Sequence, residues 1–120
     1  MKKILVFIML VMSSLLGFSQ NQPTNPESGK ASFYSKTWDG RRTSSGEKLN
    51  STLYTAAHKT LPFGTLVRVT NLTNCNWVIV KINDRGPHIK NRIIDLSWGA
   101  AKHLGIIAAG IAEVEVEVVQ

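Results

Sequence analysis

Four side chains in this chain have the types and settings for acid–base chemistry: Glu47, His58, Asp84 and Asp95. Asp84 lies in Asn83-Asp84-Arg85-Gly86-Pro87, directly after the apolar run from Val78 to Ile82. A carboxylate therefore falls where a strand gives way to a sharp turn. There it can face solvent while the strand holds its backbone still, as proton transfer requires. Arg85 offers an adjacent charge, and Pro87 removes a backbone donor and narrows the shapes open to the loop. Asp and Asn before Gly-Pro are also ordinary turn residues, so the motif alone leaves a site and a plain turn both open. Glu47 closes a polar, glycine-bearing loop and reads equally as an exposed loop carboxylate. His58, after Thr55-Ala56-Ala57, reads as a site residue or a hydrogen-bonded strand histidine. Asp95 sits inside Ile93-Ile94-Asp95-Leu96 and is better explained structurally, accepting backbone donors at the helix start that Ser97 marks. His88 and His103 read as surface residues, and no spacing of His, Cys and Asp resembles a metal site. No cofactor is expected.

The elements that must position these groups are mostly short strands. Lys30 to Tyr34 is a strand candidate, followed by a long polar loop from Trp38 to Gly46 rich in turn formers, the kind of ordered loop that often carries function. Leu49 to Ala57 is ambiguous and suggests one helical turn capped by Asn50 or Ser51 before a short strand. Thr65 to Thr70 and Trp77 to Ile82 alternate apolar and polar residues and, joined by Asn71 to Asn76, predict a hairpin. Arg92 to Asp95 is a third apolar piece, and Ser97 caps a predicted helix from Trp98 to Leu104 that Gly105 ends. Val114, Val116 and Val118 alternate with Glu113, Glu115 and Glu117, which places three glutamates on a solvated strand face. Many short strands and one helix imply a mainly β domain, and a closed barrel removes sheet edges economically in so short a chain.

The 120 residues suit one domain. Met1-Lys2-Lys3 and the apolar stretch Ile4 to Phe18 have the regions of a secretory signal peptide, here residues 1–20, and are too short for a convincing membrane span. Residues 21–28 lack apolar side chains and read as a flexible linker, with the domain occupying 29–120. Loss of Lys2 and Lys3 lowers the formal charge from +6 to +4. A basic exported domain fits anionic partners such as cell-wall polymers or lipid headgroups and equally fits plain solubility; scattered basic residues argue against nucleic acid. Cys75 is the only cysteine, which excludes an internal disulfide, and no cysteine stands at the signal boundary to carry a lipid anchor. A periplasmic or secreted, wall-associated protein follows, without stable membrane insertion after signal cleavage and expected to be a monomer.

Gly29-Lys30-Ala31-Ser32-Phe33-Tyr34, Thr43-Ser44-Ser45-Gly46-Glu47, the stretch Ala56 to Thr65, Val69-Thr70-Asn71-Leu72, Asn83 to Pro87 and Arg92 to Ser97 follow one another as in the rare lipoprotein A family. The resemblance covers essentially all of Gly29 to Val118. It implies a six-stranded double-psi β-barrel with one or two short helices, as in expansins, barwin-like proteins and some endoglucanases. It also implies a lytic transglycosylase that cuts peptidoglycan glycan strands, preferring strands stripped of stem peptides. On this resemblance Asp84 is the catalytic residue, and Glu47 and His58 are groove residues needed for activity. Asn50 stands where the family has an Asp. Tyr34 and Trp38 are expected as a platform for sugar rings, with Asn50, Asn83 and Arg85 also at the substrate. Asp84 as an acid calls for a raised pKa, from desolvation or from a carboxylate such as Glu47, and for an Arg85 that points away from it. The rivals are a non-catalytic, expansin-like wall-binding module and a hydrolase in which Asp39 or Asp95 activates water.

Overall fold

In the computed structural model, residues 26–120 are described; the expected signal peptide and most of the expected linker lie outside them. Six strands close into one barrel: β1 (Glu27–Phe33), β2 (Thr55–His58), β3 (Leu66–Asn71), β4 (Trp77–Asp84), β5 (Arg92–Leu96) and β6 (Ala112–Val118). The order around the barrel is β1-β5-β2-β4-β3-β6. The pairs β1–β5 and β2–β4 are parallel and the other four antiparallel. Every strand is paired on both sides, so no edge is exposed.

Alternation explains the inside of the barrel. Val67 and Val69 of β3, Val78, Val80 and Ile82 of β4, and Val114 and Val116 of β6 are buried, while Arg68, Ile79 and Glu115 between them are partly exposed. On the outer face Arg68 pairs with Glu117 at 2.6 Å, across the register that sets those residues opposite one another. The helix α1 (Trp98–Leu104) starts where Ser97 Oγ accepts from the Ala100 amide and ends at Gly105, whose φ of 83° suits glycine. Its Ala100, Ala101 and Leu104 join the strand residues in the core. Gly99 allows close approach to the turn after Leu49: its amide donates to Ser51 O at 2.8 Å, and a Cβ there would lie 2.5 Å from the same oxygen.

Besides shifts of one or two residues at strand ends, three features differ from the sequence reading. β1 begins at Glu27, inside the expected linker, because residues Glu27 to Ala31 pair with β6 through the backbone and need no apolar side chains. The stretch after Leu49 holds a turn rather than a helical turn: Asn50 Oδ1 accepts from the Thr52 amide at 2.9 Å, offering the backbone an alternative to a helix. A single 3-10 turn at Lys36–Trp38, begun by Ser35 Oγ accepting from the Thr37 amide, is the second short helix.

Candidate active site

Asp84 is the last residue of β4. Its Oδ1 accepts from two backbone amides, Ser44 and Arg85, each at 2.9 Å. Its Oδ2 accepts from the Tyr34 hydroxyl at 2.6 Å. These contacts join β4 to the residue after β1 and to the 43–47 loop. The loop keeps its shape through the Thr43 amide and hydroxyl, both donating to Glu47 O, at 2.8 and 2.7 Å. The Ser45 amide ties it to the barrel by donating to Asn83 O at 3.1 Å. Gly86 follows at φ 119°, a conformation other residues rarely adopt, and the Gly86–Pro87 peptide is cis.

Partial burial pushes the Asp84 pKa up, but the hydrogen bonds from Tyr34, Ser44 and Arg85 outweigh it, so the carboxyl lies below its ordinary value. The expectation of a raised pKa is therefore corrected for the unliganded protein: three donors aimed at a carboxylate favour its charged form. Nor does Glu47 supply the opposing charge. Its Oε2 pairs with Lys81 Nζ at 2.8 Å, and chiefly that bond lowers its own pKa. Arg85 does point away from the Asp84 carboxylate. Its guanidinium donates to His58 O at 3.3 Å and lies over the Phe63 ring at 4.1 Å.

His58 is buried and committed at both ring nitrogens. Nδ1 accepts from the Thr60 and Leu61 amides at 3.1 Å each, which leaves Nε2 as the protonated nitrogen, donating to Glu27 Oε1 at 2.9 Å. Its imidazole borders a cavity of about 280 Å³ with Glu27, Leu61, Val116 and Val118, and Asp84 is absent from that lining. Asn83 is 3% exposed, so its side chain is buried rather than on the surface. Asn50 is exposed, and its Oδ1 also accepts from Thr52 Oγ1 at 2.6 Å. Asp95 does not serve the helix start as expected: it pairs with Arg92 at 2.6 Å, and its charge faces Tyr34. Asp39 accepts from the Ser51 amide and hydroxyl, both at 2.7 Å.

A ring stack starts at Tyr34, and Trp98 at the start of α1 carries two lysines. Tyr34 stacks on Trp38 at 5.8 Å between centroids, Arg41 lies 4.5 Å over Trp38, and Lys36 and Lys102 lie 3.7 and 5.4 Å from the Trp98 ring. A larger concavity of about 740 Å³, lined by Tyr54, Asn76, Trp77 and His103 among others, contains none of the candidate residues. Ser44 and Lys81 escaped the sequence reading because nothing local in Thr43-Ser44-Ser45-Gly46 shows that an amide there reaches a carboxylate 40 residues away.

The closed, mixed six-strand barrel with a carboxylate at the end of β4 defines a double-psi β-barrel protein. Solved structures agree on the fold: the Streptomyces papain inhibitor matches at TM-score 0.65 and 21% identity, over 80% of this chain and 96% of that one. An apo expansin from Clavibacter michiganensis matches at the same TM-score and identity, over 80% of this chain and 51% of its own. The model of the lytic transglycolase family matches residues 26–116. The endolytic peptidoglycan transglycosylase RlpA of Pasteurella multocida is 58% identical over 92 residues, 77% of this chain and 31% of that protein. The RlpA of Campylobacter jejuni is 53% identical over 91 residues, 76% of this chain and 33% of its own. The chain belongs to the RlpA-like family of lytic transglycolases, and it spans about a third of the length of these curated relatives.

Proposed function

We propose that this domain is an endolytic peptidoglycan transglycosylase acting outside the cytoplasm, with Asp84 as its acid and base. The observation that supports this best is the Asp84 carboxylate, braced through Oδ1 by two backbone amides at the end of β4, in a family whose members are named for this activity. Protonated Asp84 gives its proton to the glycosidic oxygen as the bond from the muramyl anomeric carbon breaks. The sugar's own 6-hydroxyl then attacks that carbon and returns its proton to Asp84, leaving a 1,6-anhydromuramyl end. No water is consumed, so the paired carboxylates of ordinary glycosidases are not needed. Because the free carboxyl favours its charged form, the acid step draws on the protonated fraction. A glycan covering the groove enlarges that fraction by excluding water.

The other residues act around this centre. Glu47, paired to Lys81 on the same strand as Asp84, is half-exposed and so open to contact with a glycan. We assign His58 a positioning role: it holds the 58–61 turn, and its carbonyl receives Arg85. A preference for strands without stem peptides is supported by Lys36, Arg41 and Lys102. None has a carboxylate within 4.0 Å among the described residues; Arg41 rests on Trp38, which stacks on Tyr34, and Lys36 and Lys102 rest on Trp98. Unsubstituted muramic acid carries a free lactyl carboxylate that such cations would meet.

One observation favours the non-catalytic, wall-binding reading: the three donors that hold Asp84 charged. Incubating the protein with purified glycan strands and weighing the products by mass spectrometry decides. Anhydro ends support the transglycosylase, reducing ends indicate a hydrolase, and binding without products leaves the binding module.

A further inference from the structure

We infer that Tyr34 is a positioning residue for Asp84: its hydroxyl, donated to Oδ2, holds the reactive oxygen in place and controls when that oxygen carries a proton. The sequence had suggested a sugar platform. The inference rests on the transglycosylase reading and adds a residue that governs it.

Each oxygen of a carboxylate has two lone-pair sites. At Oδ1 both are taken, by the Ser44 and Arg85 amides. At Oδ2 one is taken, by Tyr34. The site left for a proton and a glycosidic oxygen is therefore on the atom that Tyr34 holds. A protonated carboxyl oxygen accepts poorly, so the phenol bond favours the charged form and opposes loading of the acid. Tyr34 does not replace Asp84 as the acid. Burial and the charges of Asp84 and Asp95 push its own pKa up, so it keeps its proton.

Besides Tyr34, the Ser44 side chain also favours the charged form of Asp84, while the flanking charged groups are paired elsewhere. Asp95 on β5 is paired with Arg92, Glu47 with Lys81 on β4, and His58 on β2 with Glu27 on β1. The Arg85 guanidinium faces the carbonyls of His58 and Asp84 rather than the carboxylate. The Tyr34 ring is steadied by Trp38, so the hydroxyl arrives in a set direction. A sugar that moved the Tyr34–Trp38 stack would loosen the hydroxyl from Oδ2 and ease protonation as substrate binds.

Tyr34→Phe removes one oxygen and keeps the ring, and thermal melting checks that the fold survives. Carboxyl carbons of Asp are labelled with carbon-13 and titrated by NMR in wild type and variant, with Asp84 assigned by the signal lost in Asp84→Asn. The Asp84 midpoint should rise by about one pH unit. The descending limb of kcat/KM on purified glycan strands should move to higher pH by the same amount. A role confined to packing would lower the rate without moving either. An Asp84 midpoint that stays in place overturns the inference. Wild-type protein that makes no anhydro ends refutes the transglycosylase reading instead, and the carboxyl titration still decides whether Tyr34 governs Asp84.

Discussion

His58→Ala should damage the fold more than the chemistry. The imidazole accepts two backbone amides through Nδ1 and donates to Glu27 through Nε2. Removing it orphans the Thr60 and Leu61 amides at about 1 kcal/mol each, the low end for a partly buried turn. The bond to half-exposed Glu27 adds at most ~0.5 kcal/mol. The space left by a buried ring adds about 1–2 kcal/mol. The total is roughly 3–4.5 kcal/mol, which for a domain of this size lowers the melting temperature by roughly 12–36 °C. The assay pairs calorimetry with product formation at a temperature where both proteins are folded. Activity per folded molecule should fall less than about tenfold, because neither ring nitrogen is free for substrate. An unchanged melting temperature with a collapse in kcat/KM would refute the reasoning and put the imidazole on the glycan.

Asn50→Asp should change kcat/KM by less than about threefold, because a carboxylate oxygen accepts the same two Thr52 donors and Asn50 makes no contact with Asp84. A rise of ten times or more would show that the missing family carboxylate works on substrate. The depressed Asp84 pKa also links to stability. Its folded value lies below the ordinary 3.8, so its contribution is present above that pH and is lost as pH falls through the folded value. After allowance for exposure, Asp84→Asn should cost about 1 kcal/mol at pH 7, with the gap closing in denaturant titrations as pH falls through the folded value.

Much of the barrel was legible because alternation carries it. β3, β4 and β6 each set valines inward against polar neighbours, and Ser97 with Gly105 marks both ends of α1. β2 was harder: all four of its residues, Thr55 to His58, are buried, so no period of two appears. The start of β1 was hidden because Glu27 and Ser28 are held by backbone pairing that any side chain permits. For the site, the motif around Asp84 and its resemblance named the carboxylate but not its environment. Tyr34 and Ser44 reach it across 50 and 40 residues, separations at which only the closed barrel makes neighbours. Glu27 was missed as the partner of His58 for the same reason, since it lay in a stretch read as linker.

The central claim is that Asp84 moves the proton in a cleavage that consumes no water. The most direct test compares wild type with Asp84→Ala on purified, peptide-free glycan strands, counting anhydromuramyl ends by mass spectrometry while melting curves confirm folding. Wild type should accumulate anhydro ends, and the variant should be slower by at least ~10²-fold, the usual worth of a general acid–base group. Equal rates would contradict the account.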